Sequence, residues 1–171
     1  MQGRMPRTSA ATLSVAQPVI DAPAALRAVE AAVQHATALG VRVNVAVVDA
    51  AGVPAAFVRM TGAPLHSVDI ANDKAYTAAS FGLPTGAWHA ALASHSEAVR
   101  HGLVLRPRFV AFGGGLPIVE GGARIGGIGV SGGSEAQDEA IAQAGLRALG
   151  LVPDGLDRAD ALPVSERPLR S

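Results

Sequence analysis

Apolar side chains recur along the first part of the chain with two different periods. They follow the helical repeat from Leu26 to Ala36 and stop before Gly40, which predicts a helix that ends at the glycine. Valines then occupy every second position over 41–47, the period of a strand. Turn residues over 49–52 and a second apolar stretch over 53–60 predict that this strand continues into an antiparallel hairpin.

The remainder of the chain divides into two further helices, a group of strands and a last helix. Residues 67–80 are helical with small residues on one face, and the next helix is predicted from Thr85 to about Gly102. Ser134 and Gln137 match a capping box that starts the last helix, which is predicted to end at Leu149. Glycine-separated strands are predicted over 109–112, 117–119 and 123–130.

This order of elements predicts the fold class. Because the links within each group of strands are too short for a parallel crossover, we expect an α+β fold with a five-stranded antiparallel sheet flanked by about four helices. The pattern places one domain over 21–150, after an N-terminal extension over 1–20. Residues 151–171 mix prolines, charges and isolated leucines, which predicts an extended C-terminal tail.

Composition limits the partners of the protein. Fourteen Lys and Arg residues balance fourteen Asp and Glu residues, and only 4% of the chain is aromatic, so we expect no nucleic acid partner. The absence of cysteine excludes disulfides and thiolate metal sites. No apolar segment follows the first ten residues in the manner of a signal peptide, and no run approaches the length of a membrane span. We therefore expect a cytoplasmic protein that does not bind membranes.

Residues 127–132 read GIGVSG and match the G-x-G-x-x-G pattern of dinucleotide-binding proteins. That motif requires a βαβ unit with an acidic residue about 20 positions further on, whereas the helix at Ser134 is the last one predicted. The pattern instead favours a strand on which another backbone or a flat ligand packs closely. The amides of Ser131–Ser134, at a helix N-terminus, remain candidates for binding a carboxylate or another anion.

Three blocks carry the most specific patterns in the sequence: VAVVDAAGVPAAFVRMTGA at 45–63, SVDIANDKAYTAASFGLPT at 67–85 and GGGLPIVEGGARIGGIGVSGGSEAQDEAIAQAGL at 113–146. In these blocks the chain resembles the GlcG/HbpS family of haem-binding, haem-degrading-like proteins, which also forms the C-terminal domain of some corrinoid adenosyltransferases. The resemblance implies a profilin-like fold, assembly into homo-oligomers, haem binding by some members and a role near organic acid catabolism for others. With no C-x-x-C-H sequence, any haem would be held non-covalently.

The leading hypothesis is accordingly a haem, or tetrapyrrole, binding protein. Arg59, at the end of the second strand, is a candidate to bind a haem propionate through its forked guanidinium. His95 shares a helical face with Trp88 and Leu92 and is a candidate haem ligand, although such a histidine is more often a packed residue. The remaining predicted ligand-binding positions are Gly114, Gly115, Ser131, Gly132 and Gly133.

The alternative hypothesis is a small catabolic enzyme, an isomerase, tautomerase or decarboxylase that acts on an organic acid. Arg59 and the glycine-loop amides would hold the carboxylate, and His66, Asp69 or Lys74 would move a proton. His66, Asp69 and Asp73 lie along one stripe of the second helix and form a possible metal or acid–base constellation. Acidic residues are also ordinary in a first helical turn, so no metal site is firmly predicted.

Overall fold

The computed structural model describes residues 13–151. In this part of the chain a single four-stranded sheet lies between helices that pack on both of its faces, so the predicted α+β class is confirmed. The helices are α1 (Ala22–Ala38), α2 (Ser67–Phe81), α3 (Trp88–Ala93), α4 (Glu97–Leu103) and α5 (Glu135–Ala148). The strands are β1 (Asn44–Asp49), β2 (Pro54–Arg59), β3 (Gly115–Glu120) and β4 (Ala123–Ser131). None of the helices described is long and apolar enough to cross a membrane.

The sheet is antiparallel throughout, in the order β2-β1-β4-β3. Its two hairpins join through the central strands, where Val45 of β1 lies opposite Val58 of β2 and Val130 of β4. The predicted turn between β1 and β2 is confirmed: the Asp49 carboxylate accepts hydrogen bonds from two amides of the turn, at 2.8 and 2.9 Å. Most side chains of the edge strand β2 are exposed.

The main hydrophobic core lies between the sheet and the helices α1 and α5. From the sheet, Val45, Val47, Ile118, Ile128 and Val130 are fully buried there. Alanines of α1 and Ile141 and Leu146 of α5 cover them. The α5 capping box is confirmed, because Ser134 and Gln137 satisfy each other's backbone amides. The helices α1 and α5 thus form one layer, which packs on the strands β1, β3 and β4 across a shared core.

The opposite face of the sheet packs closely against α2, with a small core of Ala46, Val48, Ala71, Ala75 and Ala79 between them. A Cβ atom added to Gly127 would collide with the carbonyl oxygen of Ala75, and one added to Gly129 with that of Ala71. The glycines are therefore required for close approach of the helix to the strand. This confirms the interpretation of the GIGVSG sequence as a close-packed strand.

The predicted strand over 109–112 is wrong, and the sheet has four strands instead of five. Backbone groups of this segment bond to side chains and not to a neighbouring strand. The amide of Val110 donates to the Thr77 hydroxyl at 3.1 Å, and that of Gly113 to a Glu135 carboxylate oxygen at 2.6 Å. The segment is satisfied in an irregular path that runs from α4 to β3.

The helix predicted from Thr85 to Gly102 is also wrong as a single element, which raises the number of α-helices from about four to five. A 3₁₀ turn over Thr85–Ala87 leads into α3, and α3 ends before α4 begins. At the break the Ser94 hydroxyl bonds back to Ala91, while Ser96 is extended and caps α4 by accepting from the amide of Val99. Serine side chains that compete for backbone groups explain the interruption.

The predicted N-terminal extension and C-terminal tail lie mostly outside the described residues. Ile20 belongs to the predicted extension, but it is buried and its amide donates to the carbonyl of Ile125 at 2.8 Å. At the other end, Leu151 packs against the main core. Residues 1–12 and 152–171 are not described.

Candidate functional site

The inner face of α2 carries a buried ion pair. Lys74, which is the only lysine in the chain, is 1% exposed and donates to the carboxylate of Asp138 on α5 at 2.9 Å. It also donates to the carbonyl oxygen of Val130 at 2.8 Å, and the Phe112 ring lies 4.9 Å from its Nζ. The ammonium therefore has hydrogen-bonding and electrostatic partners despite its burial.

Backbone amides of two glycine segments complete this cluster. Asp138 accepts from the amide of Gly133 at 2.9 Å through its second oxygen. The amide of Gly115 donates to the Thr85 hydroxyl at 2.8 Å. Burial lowers the pKa of Lys74 below 10.5, and the carboxylate of Asp138 opposes that shift. The cluster ties α2, β4 and α5 together, and this nearly complete burial leaves its charges out of reach of a large ligand.

The outer side of α2 holds the segment before β3 through Arg108. Arg108 has a φ of 64°, and among residues 13–151 it is the one non-glycine residue in the left-handed region. Such a conformation costs an ordinary residue roughly 1–2 kcal/mol. Its carbonyl accepts from the Thr77 hydroxyl at 2.8 Å, and its Nε donates to Asp73 at 2.9 Å. The guanidinium lies 3.7 Å above the centre of the Tyr76 ring. Three side chains of one helix thus hold a strained residue.

An open cavity of about 310 Å³ lies between α2 and this segment. Its wall is mainly apolar and aromatic, and two arginines stand among the lining residues. The lining consists of Tyr76, Thr77, Ser80, Phe81, Leu103, Arg106, Pro107, Arg108 and Phe109. The volume is at the lower end of the range of about 300–1,000 Å³ for small-molecule sites. An apolar wall with a few charged groups suits a ligand that is mostly hydrophobic and partly anionic.

An aromatic cluster supports one wall of this cavity. Phe81 and Phe109 both line it, and each packs edge-on against Trp88, with ring centroids 4.8 and 4.9 Å away. Trp88 is 6% exposed and is the only tryptophan of the chain. Its indole nitrogen is buried without a hydrogen-bond partner among the described residues. The cluster makes Trp88 a built-in reporter of events in the cavity.

The structure does not bring the predicted acid–base residues together. His66 is exposed at the start of α2, Asp69 is exposed in its first turn, and Lys74 faces α5. Asp73 pairs with Arg108, so it does not join His66 and Asp69 in a metal site. Among residues 13–151, no three His, Cys, Asp or Glu side chains are placed to hold a metal ion.

The predicted ligand-binding residues fall in separate places. Arg59 is exposed and donates to the carbonyl of Ala63 at 2.8 Å, which closes the turn that follows β2. Gly114, Gly115 and Gly133 border the Lys74 cluster, whereas Ser131 and Gly132 end β4. His95 is exposed in the break between α3 and α4 and does not line the cavity. Their roles in binding stay predictions.

Sequence reasoning did not find Asp138, Tyr76 or Arg108. Asp138 follows a helix cap, where an acidic residue is ordinary, and its partner is 64 residues away. A usable signal for Lys74 was its uniqueness, since the other thirteen basic residues are arginines. Arg108 stands between a proline and a phenylalanine in a segment expected to end in a strand, and its left-handed backbone has no sequence signature of the kind that glycine provides.

Comparison with known proteins identifies the family. Residues 20–147 match the family model described as "Haem degrading protein HbpS-like". The chain belongs to this HbpS-like family. It is also 39% identical over 121 residues to the corrinoid adenosyltransferase PduO of Salmonella typhimurium, an alignment that covers 70% of this chain and 35% of that protein. The chain thus spans about a third of that curated relative.

Solved structures of the family share the fold. A complex of PduOC with heme has a TM-score of 0.70 and 36% identity, with 76% of this chain and 94% of that chain covered. A double mutant of HbpS from Streptomyces reticuli has a TM-score of 0.71 and 32% identity, with 87% and 99% covered. Protein ORFY of Klebsiella pneumoniae has a TM-score of 0.76 and 34% identity, with 83% and 98% covered.

Proposed function

We propose that this protein binds haem, or a closely related tetrapyrrole, non-covalently in the cavity between α2 and the segment 103–109. The observation that carries the proposal is the cavity itself, whose lining combines three aromatic side chains with two arginines. A porphyrin ring is flat and apolar, and its propionates are anionic, so this lining is complementary to it in both respects. The complex of PduOC with heme supports the same ligand class.

The mode of attachment follows from composition and from the lining. The chain has no cysteine, so thioether attachment is impossible and the haem must be held by packing, ion pairing and an axial ligand. Tyr76 is the one lining residue of a type that ligates haem iron in proteins. We propose Tyr76 as the axial ligand, with His95 as the competing candidate from the sequence.

The first test is a haemin titration followed by Soret absorption and by Trp88 fluorescence together. We expect saturation near one haem per chain, with quenching of Trp88 in parallel, because haem in the cavity would contact Phe81 or Phe109 beside the indole. Absorption that rises without saturation would refute haem binding. Saturation without quenching would refute this location.

Substitutions test where haem binds and which residue ligates its iron. Removal of the Phe109 ring should weaken haem binding roughly tenfold, from the lost apolar contact of a phenylalanine. Phe57, 39% exposed on β2, serves as the matched control, and Phe57→Ala should leave the affinity unchanged. Tyr76→Phe should shift the Soret band if Tyr76 ligates the iron, and His95→Ala should not. The reverse pattern would assign the iron to His95.

Other predictions made from the sequence remain proposals. We propose homo-oligomers, for which the exposed edge strand β2 with Phe57 and Val58 offers a surface. Cytoplasmic location, a lack of nucleic acid partners and a link to organic acid catabolism stay predictions. The family model and the haem complex favour ligand binding over the alternative of a small catabolic enzyme.

A further inference from the structure

We infer that Arg108 is the carboxylate-recognition residue of the cavity and makes the site selective for planar apolar ligands that carry a free acid group. The inference rests on the proposed haem site and extends it to specificity. For haem, the recognised group is a propionate.

The backbone of Arg108 is held in a conformation that its side chain does not favour. At a φ of 64°, glycine or asparagine would fit with less strain than arginine. Thr77 on α2 holds the backbone of Arg108 in place, since its hydroxyl donates to the carbonyl of Arg108 and accepts from the amide of Val110. Strained residues of this kind concentrate at binding sites, where the geometry they impose on a side chain is used.

The side chain is prepared for binding an anion. The guanidinium lies over the Tyr76 ring at 3.7 Å, and its Nε donates a hydrogen bond to Asp73. None of the hydrogen bonds among residues 13–151 uses its Nη1 or Nη2 atoms, so the pair that forks onto a carboxylate is available. Stacking and the Asp73 bond immobilise the side chain before a ligand arrives, which reduces the entropy lost on binding.

The position of Arg108 suits a ligand that has an apolar ring and a carboxylate. Its side chain is 41% exposed, so the guanidinium reaches solvent, whereas Phe81 and Phe109 of the cavity wall pack against the buried Trp88. A ligand would therefore insert its apolar ring and leave its carboxylate at the rim. Arg106 also lines the cavity, but none of the ion pairs among the described residues tethers it. It provides the comparison with a lining arginine that is not held in place.

The test compares haem with haem dimethyl ester, which has the same ring and iron but no free propionate. Affinities of both probes are measured by Soret titration for the wild type, Arg108→Asn, Arg106→Asn and Asp73→Asn. Asparagine is chosen at position 108 because it tolerates the left-handed backbone, so the variant retains the local fold. Circular dichroism and thermal unfolding verify folding, and Arg108→Gly provides a second variant with the same backbone freedom.

We expect the wild type to bind haem roughly tenfold or more tightly than the ester, the usual gain from a charge-assisted hydrogen bond. Arg108→Asn and Arg108→Gly should lose this preference while ester binding changes less than about twofold. Asp73→Asn should reduce the preference in part, because it replaces the charge-assisted hydrogen bond to Nε with a weaker neutral one. Arg106→Asn should reduce the preference less than Arg108→Asn does, because Arg106 lines the cavity but no ion pair among the described residues orients it.

Two results would overturn the inference and can be told apart. If both probes bind the wild type and the Arg108 variants with the same ratio, haem binding stands and the role of Arg108 is wrong. If neither probe saturates the wild type, the proposed haem site falls and this inference falls with it.

Discussion

The buried pair of Lys74 and Asp138 allows a quantitative test of what holds α2 to α5. Asp138→Asn keeps the shape of the side chain and an oxygen that can accept from Gly133, but it removes the negative charge. Lys74 would then be a cation with 1% of its surface exposed and no counterion within hydrogen-bonding distance. At 2.9 Å the lost attraction is about 6 kcal/mol with an effective dielectric constant of about 20.

Deprotonation sets a limit to this cost. A lysine with an ordinary pKa of 10.5 gives up its proton at pH 7 for about 5 kcal/mol, and a neutral amine no longer needs a counterion. Deprotonation therefore limits the loss to about 5 kcal/mol, the upper end of the range of about 3–5 kcal/mol typical when one partner of a buried pair is removed. We therefore expect Asp138→Asn to lower the free energy of unfolding by about 3–5 kcal/mol.

The assay is urea unfolding at pH 7 for the wild type, both single variants and the double variant Lys74→Met with Asp138→Asn. The double variant has no unpaired charge, so it should be more stable than Asp138→Asn alone by about 2 kcal/mol or more. If the effects of the two substitutions simply add, the carboxylate and the ammonium are not coupled and the reasoning is refuted.

The remaining predictions concern pH, packing and the irregular segment. Lys74 has a folded-state pKa below its unfolded value of 10.5, so in the window between the two values the unfolded chain binds a proton that the folded chain lacks. The contribution of Lys74 to the free energy of unfolding should therefore rise with pH in that window. Urea unfolding at several alkaline pH values should show this rise in the wild type. The same rise in Lys74→Met would contradict the assignment to Lys74. Gly129→Ala should cost about 3 kcal/mol or more because the methyl group meets the α2 backbone. The control Gly102→Ala, in open space on α4, should be neutral or stabilise by up to about 1 kcal/mol in thermal unfolding, and equal losses would refute the packing argument. Thr77→Val should lower the free energy of unfolding by about 1–3 kcal/mol, because it removes the hydroxyl bonds to the backbone of Arg108 and Val110. It should also increase amide hydrogen exchange at Val110, and unchanged exchange there would contradict the role of Thr77 in holding this segment.

Local patterns predicted those parts of the fold that local interactions determine. Alternating valines gave β1, the cap at Ser134 gave the start of α5, and the turn at Asp49 gave the first hairpin. The error over 109–112 has a different origin. An apolar run is ordinarily a strand, but here the amide of Val110 bonds to Thr77 and that of the adjoining Gly113 to Glu135, which lie 33 and 22 residues away in sequence.

The candidate site was predictable only in outline for the same reason. Lys74 was identified as a functional candidate, but its partner on α5 is set by how two helices meet across the sheet. The cavity depends on the broken helix and on the left-handed Arg108, and neither follows from periodicity. Lys74 and Asp138, which are 64 residues apart in sequence, meet only once the helices have packed around the sheet.

The contact of Gly127 and Gly129 with α2 has a mechanical consequence. At Ala71 and Ala75 the backbone of α2 rests directly on β4, and small side chains such as Ala46 and Val48 of β1 lie beneath other parts of the helix, so α2 resists small shifts when something binds to its outer side. Any accommodation of a ligand must come from the opposite wall, where α4 has no buried residue and is easily displaced. The sheet, α2 and Arg108, which α2 holds, thus form the rigid side of the cavity, and α4 forms the side that can move.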